Sequence, residues 1–84
     1  MRYNVYAIRS TLRPYIYVGI AANVSERVRR HNSGYERTTR AYRPFEIIYS
    51  ELLVDRVAAR KREKYLKSGV GKEFLKKVVL NNRI

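Results

Sequence analysis

Two tyrosine-rich segments that alternate with period two stand at the N-terminus, separated only by Ser10 to Pro14, and they constrain the fold more than any other feature. In Arg2 to Arg9, Tyr3, Val5 and Ala7 fall on one side and Asn4, Tyr6 and Ile8 on the other. Alternation of aromatic and β-branched residues predicts a strand. Tyr15 to Ile20 predicts a second strand, joined to the first as an antiparallel hairpin. Tyrosine suits such a pair because its ring packs while its hydroxyl stays within reach of polar groups.

The rest of the chain predicts helices around a small sheet. Asn23 is a good N-cap, with Glu26 at the capping-box position, for a helix to about Asn32 that stops at Gly34. Tyr35 to Arg43 has no period and reads as a mobile basic loop. Pro44 opens a third strand, Phe45 to Tyr49. Asp55 caps a helix from about Arg56 to Lys67, ended by Ser68-Gly69, and a last helix runs from Val70 to about Leu80 with Phe74, Leu75, Val78 and Val79 as its apolar face. The expected fold is α+β: a small three-stranded antiparallel sheet flanked by three helices, in the order β-β-α-β-α-α.

Eighty-four residues make one domain, spanning residues 1–84, with no room for a second core. With no cysteine and one histidine, disulfides, thiolate zinc sites and multi-histidine metal centres are excluded. No apolar run approaches the roughly 18 residues of a membrane span, and the first residues lack a signal-peptide core. The expectation is a soluble cytoplasmic protein without a membrane partner.

Nineteen Lys and Arg against seven Asp and Glu give a formal charge of +12. Such self-repulsion opposes the compact state, so a polyanionic partner accounts for it best. Arginines dominate the middle of the chain and bind phosphate bidentately, which favours nucleic acid over a generic acidic surface. A solvated basic face without a dedicated ligand is the alternative reading.

Two helical stripes carry unexpected side chains. Val24, Arg27, Val28 and His31 share a face, so Arg27 and His31 sit with the valines that should meet the sheet. Ala59, Arg62, Glu63 and Leu66 likewise share a stripe, with Glu63 between a small residue and a core leucine. Simpler roles fit the same spacing: Arg27 and His31 snorkelling past the valines, and Glu63 pairing with Lys67 along the helix surface.

Taken in order, Val5-Tyr6, Tyr17-Val18-Gly19, Arg27 through His31 to Gly34, Arg43-Pro44, and Ala59 through Glu63 to Lys67 resemble the GIY-YIG nuclease domain over roughly residues 3–77. More narrowly they are similar to its small stand-alone single-domain bacterial subfamily, relatives of the catalytic domains of homing endonucleases and of the excision-repair nuclease subunit. The resemblance implies catalytic roles for Tyr6, Tyr17, Arg27, His31 and Glu63. Glu63 is then the ligand of one Mg²⁺ or Mn²⁺, consistent with the habit of Mg²⁺ to bind a single carboxylate plus waters and phosphate. Either tyrosine, or His31, is a candidate base or water-positioning group. The implied activity is endonucleolytic hydrolysis of DNA, structure- or lesion-directed, in repair or recombination.

Neighbouring phosphates are expected to meet Gly19, Arg30, Arg37, Arg40, Arg43 and Lys67, with lysines of the last helix. Gly19, lacking a side chain, is expected to admit a close approach by a phosphate or by backbone. Asn81 or Asn82 matches a polar residue that many family members carry near the domain's end. A catalytically silent module binding DNA or RNA is the competing reading, and an RNA- or ribosome-associated protein a third.

Overall fold

A computed structural model describes residues 2–81. The elements follow in the expected order: β1 (Tyr3–Ser10), β2 (Ile16–Ala21), α1 (Val24–Asn32), one turn of 3-10 helix (Arg40–Tyr42), β3 (Phe45–Leu53), α2 (Arg56–Lys67) and α3 (Gly69–Asn81). The strands form one antiparallel sheet in the order β2-β1-β3. Because β1 is central it is covered on both faces, and Val5, Tyr6, Ala7 and Ile8 are all buried in succession.

Alternation along β1 feeds two cores. Val5 and Ala7 join Val18, Ala59, Leu66 and Leu75 beneath α2 and α3. Tyr6 and Ile8 join Ala21, Val28 and Phe45 beneath α1. The hairpin register sets Tyr6 opposite Gly19 and Ile8 opposite Tyr17. On the other edge, Ala7 pairs with Tyr49 and Ile8 with Ile47, so Ile48 is an extra residue in β3. Such a bulge re-aims side chains, and Ile48 and Tyr49 consequently both pack toward the α2–α3 core.

Local chemistry fixes the helix ends. Asn23 Oδ1 accepts the Glu26 N–H at 3.0 Å and Asp55 Oδ1 accepts the Ala58 N–H at 2.9 Å. At the end of α1 the N–H groups of Gly34 and Tyr35 donate to the carbonyls of His31 and Arg30. Gly34 has a φ of +82° there, the left-handed cap that closes a Schellman motif. Asn32 then ties the end of α1 to the start of β3. Its Oδ1 accepts the Phe45 N–H at 2.6 Å, and its Nδ2 donates to the Phe45 carbonyl at 3.1 Å.

Two local expectations change. β3 continues past Tyr49 to Leu53, because Tyr3 and Asn4 of β1 supply partners for Leu53 and Leu52. The segment Tyr35–Arg43, expected to be a mobile loop, is folded against the α1 face of the sheet. Tyr42 stacks on Tyr15 with ring centroids 4.0 Å apart, and Thr39 is fully buried. Only these two of its residues are anchored inward, too few to give a readable period.

Candidate active site on the α1 face of the sheet

Tyr6 projects from the central strand beneath α1, where His31 descends from the last turn of that helix. Tyr6 Oη and His31 Nε2 are hydrogen-bonded at 3.0 Å, and His31 Nδ1 is hydrogen-bonded to Thr39 Oγ1 at 2.8 Å. All three residues are sealed, His31 being only 1 % exposed. A neutral imidazole offers one donor and one acceptor nitrogen, so this chain of bonds uses its whole capacity. Thr39 is the member that sequence reasoning missed. Two adjacent threonines between arginines, Thr38 and Thr39, carry no signal of which is buried; only the spacing that lets Tyr35–Arg43 fold back under α1 could have singled out Thr39.

Tyr17 adjoins this chain from β2. Its ring lies 4.8 Å from that of His31 and 6.3 Å from that of Tyr6, centroid to centroid. Tyr17 is half-buried, whereas Tyr6 is closed off. Gly19 makes the arrangement possible. A Cβ there would sit 2.8 Å from Tyr6 Oη and 3.0 Å from the Tyr17 ring, closer than side chains pack. The group that approaches Gly19 is thus the Tyr6 phenol.

The electrostatics separate the members by role. Burial pushes the Tyr6 hydroxyl well above the ordinary tyrosine value, reinforced by Tyr17 and only partly opposed by the Arg27 guanidinium. Burial lowers the His31 pKa, Glu36 pulls the other way, and Arg27 and Arg30 add to the lowering. A sealed phenol held protonated and a neutral imidazole with both nitrogens engaged are poor bases for a bulk water. Arg27 is half-buried and, among the described residues, joins no ion pair, so its charge stays available to an anion.

Glu63 stands apart from this cluster. It lies on α2, between Ala59 and Leu66, which face the core on the other side of the sheet. Its side chain is 15 % exposed, and its carboxylate meets Lys67 Nζ at 3.1 Å and Arg60 Nη1 at 3.8 Å, both on its own helix. Among the described residues no hydrogen bond or ion pair joins it to Tyr6, Tyr17, Arg27 or His31. Its partner Lys67 and, separately, Tyr17 both line the cleft beside β2. Among the described residues no three His, Cys, Asp or Glu side chains converge as metal ligands. Glu63, shielded and held only by two flexible surface cations, suits a site of one carboxylate completed by water and phosphate.

Of the residues expected at phosphates, Arg37, Arg40 and Arg43 are exposed around the folded segment. Arg30 lies over the Tyr35 ring at 4.7 Å and pairs with Glu36 at 3.6 Å, while Lys67 is committed to Glu63. Asn81 is the exposed last residue of α3, and Asn82 lies outside the described residues. No helix among the described residues is long and apolar enough to cross a membrane.

A three-stranded sheet with hairpin tyrosines abutting an arginine–histidine helix defines a GIY-YIG nuclease fold, and the sequence matches the GIY-YIG catalytic domain over residues 2–77. The chain belongs to that family, and so to the nuclease superfamily it defines. Its relatives are UPF0213 proteins. It is 41% identical over 54 residues to the UPF0213 protein DP2720 of Desulfotalea psychrophila, covering 62% of this chain and 49% of that one. It is 34% identical over 64 residues to the UPF0213 protein SERP0126 of Staphylococcus epidermidis, covering 75% of this chain and 78% of that one. The alignment thus spans about half of the Desulfotalea protein. The solution NMR structure of the UPF0213 protein BH0048 from Bacillus halodurans superposes with a TM-score of 0.56 at 26% identity, covering 93% of this chain and 85% of that one.

Proposed function

We propose that this protein is a divalent-metal-dependent endonuclease that hydrolyses DNA phosphodiester bonds at structured or damaged sites, as in repair or recombination. The observation that carries the reading is the hydrogen-bonded chain Tyr6–His31–Thr39, packed against Tyr17 with Arg27 at its rim. A merely structural core does not need two buried polar side chains linked through an imidazole, each of which costs free energy unless paired.

The partly exposed members do the chemistry. Arg27 neutralises charge that develops on the phosphate as the bond order changes, where a fixed cation is worth far more than in water. Tyr17, half-buried at the edge of the cluster, positions the attacking water, whose proton passes to bulk solvent. Tyr6 and His31 hold Tyr17 and Arg27 in place, with Thr39 fixing the imidazole. Glu63 would hold one Mg²⁺ or Mn²⁺, an ion that polarises a phosphate oxygen and stabilises the leaving group. Exposed Arg37, Arg40 and Arg43 hold flanking phosphates without reading sequence.

The test is nicking of supercoiled plasmid and of branched DNA with Mg²⁺, Mn²⁺ or chelator, alongside Arg27→Ala and Glu63→Ala. The expected result is metal-dependent nicking lost in both variants, with DNA binding kept. Equal nicking by wild type and Glu63→Ala would assign the activity to a contaminant. One observation favours a second reading, a silent binding module: the Glu63 carboxylate is engaged by Lys67 and Arg60. Tight binding without cleavage on every substrate would establish it.

A further inference from the structure

A cleft of about 780 Å³ opens along the outer edge of β2, between that strand and α3, on the side where Tyr17 ends the ring cluster. Its floor is the aliphatic edge of the α2–α3 core, where buried Val18, Leu66 and Leu75 lie beneath the partly exposed Ile16 and Val79. Leu80 at its rim is 64 % exposed. The cations Arg9, Arg13, Lys67, Lys72 and Lys76 stand around it beside Pro14, Tyr15 and Tyr17, and among the described residues no acidic side chain lines it. Among the described residues neither Arg13 nor Lys72 has a carboxylate partner.

We infer that this cleft holds unpaired nucleotides of the strand whose phosphate lies at Tyr17, so that the substrate is a single strand or a junction with an unpaired arm. The inference rests on the nuclease reading and specifies its substrate. An occupant must present an apolar body to the floor and regularly spaced negative charge to the rim. A duplex shows only charge, because its base faces are stacked inside. An unpaired strand offers both, with base faces for the floor and phosphates for the cations. The Tyr17 ring belongs to the cluster on the α1 face, and Tyr17 also lines the cleft on the other face, so a strand that passes round the outer edge of β2 at Tyr17 reaches it.

The test is binding by fluorescence anisotropy in chelator, which silences cleavage. The probes are a labelled oligothymidylate and an oligouridylate, each of about 12 nucleotides, a blunt duplex, and a fork with one unpaired arm. The variants are Leu80→Asp and Lys72→Glu, both at exposed positions and each checked for fold by circular dichroism. Wild type is expected to bind the single strands and the fork at least fivefold more tightly than the duplex. Leu80→Asp is expected to abolish that preference while leaving duplex affinity within twofold, and Lys72→Glu to reduce the salt dependence of single-strand binding. Preference between the two oligonucleotides separates DNA from RNA as the source. Duplex binding equal to fork binding, or an unchanged preference in folded Leu80→Asp, overturns the inference. Because no cleavage is measured, a protein that fails to nick plasmid can still pass, and one that nicks can still fail.

Discussion

Thr39→Val is the sharpest probe of the buried hydrogen-bond chain. Valine fills nearly the same volume, so packing against the 3-10 turn is kept and only the hydroxyl is lost. His31 Nδ1, now 2.8 Å from Thr39 Oγ1 in a site closed to water, would be left without a partner. Stranding a buried polar group costs about 1–3 kcal/mol. For a domain of this size each kcal/mol lowers Tm by roughly 4–8 °C, so the expected loss is roughly 8–16 °C for a 2 kcal/mol penalty. Thermal unfolding followed by circular dichroism reads it, with Thr39→Ser, which keeps the hydroxyl, as the control. The His31 ring nitrogen shifts read by NMR should change in Thr39→Val and stay close to wild type in Thr39→Ser. A Tm for Thr39→Val within about 2 °C of wild type, or equal losses in both variants, would refute the assignment of Thr39 as the support of His31.

Burial lowers the His31 pKa from its model-peptide value of 6.5, so below that value the unfolded chain binds more protons than the folded one. Stability should therefore be full above about pH 6.5, fall as pH drops toward the folded pKa, and then level off for this group; denaturant midpoints from pH 7.5 down to 5, compared with a His31→Gln variant, check the slope. Gly19→Ala should destabilise by about 1–3 kcal/mol through overpacking, since its methyl would meet Tyr6 Oη and Cζ and the Tyr17 ring; the urea midpoint reads the loss. Asn32→Ala removes both bonds to Phe45 and should cost about 1–2 kcal/mol, with amide exchange at Phe45 accelerated in hydrogen-exchange measurements.

The parts of this fold that could be read from the sequence are those decided within a few residues. Asn23 and Asp55 cap because a short polar side chain reaches an amide three residues on, and Gly34 ends α1 because it takes a left-handed conformation without strain. The tyrosine alternation gave β1, β2 and their antiparallel pairing for the same reason. What escaped was set by distant partners. β3 reaches Leu53 because the start of β1 lies alongside it. The site divides in the same way. Arg27 and His31 on a valine stripe announced that the helix would turn polar groups toward the sheet, and it does. Thr39 could not be seen, because its burial depends on Tyr42 finding Tyr15. Nor could the chain show that Glu51, which burial would make a weaker acid, is instead held ionised by hydrogen bonds from Arg62 and Tyr49, a network that occupies Arg62 one position from Glu63.

The central position of β1 carries a consequence for how this protein can change. Tyr6 hangs from the same few ångströms of backbone as Val5 and Ala7, whose side chains fill the opposite layer. An enlargement at Ala7 or Val18, on the side remote from the imidazole, would tilt the strand and drag the phenol away from it. Evolution or a designer wishing to alter the ring cluster must therefore renegotiate the opposite layer as well.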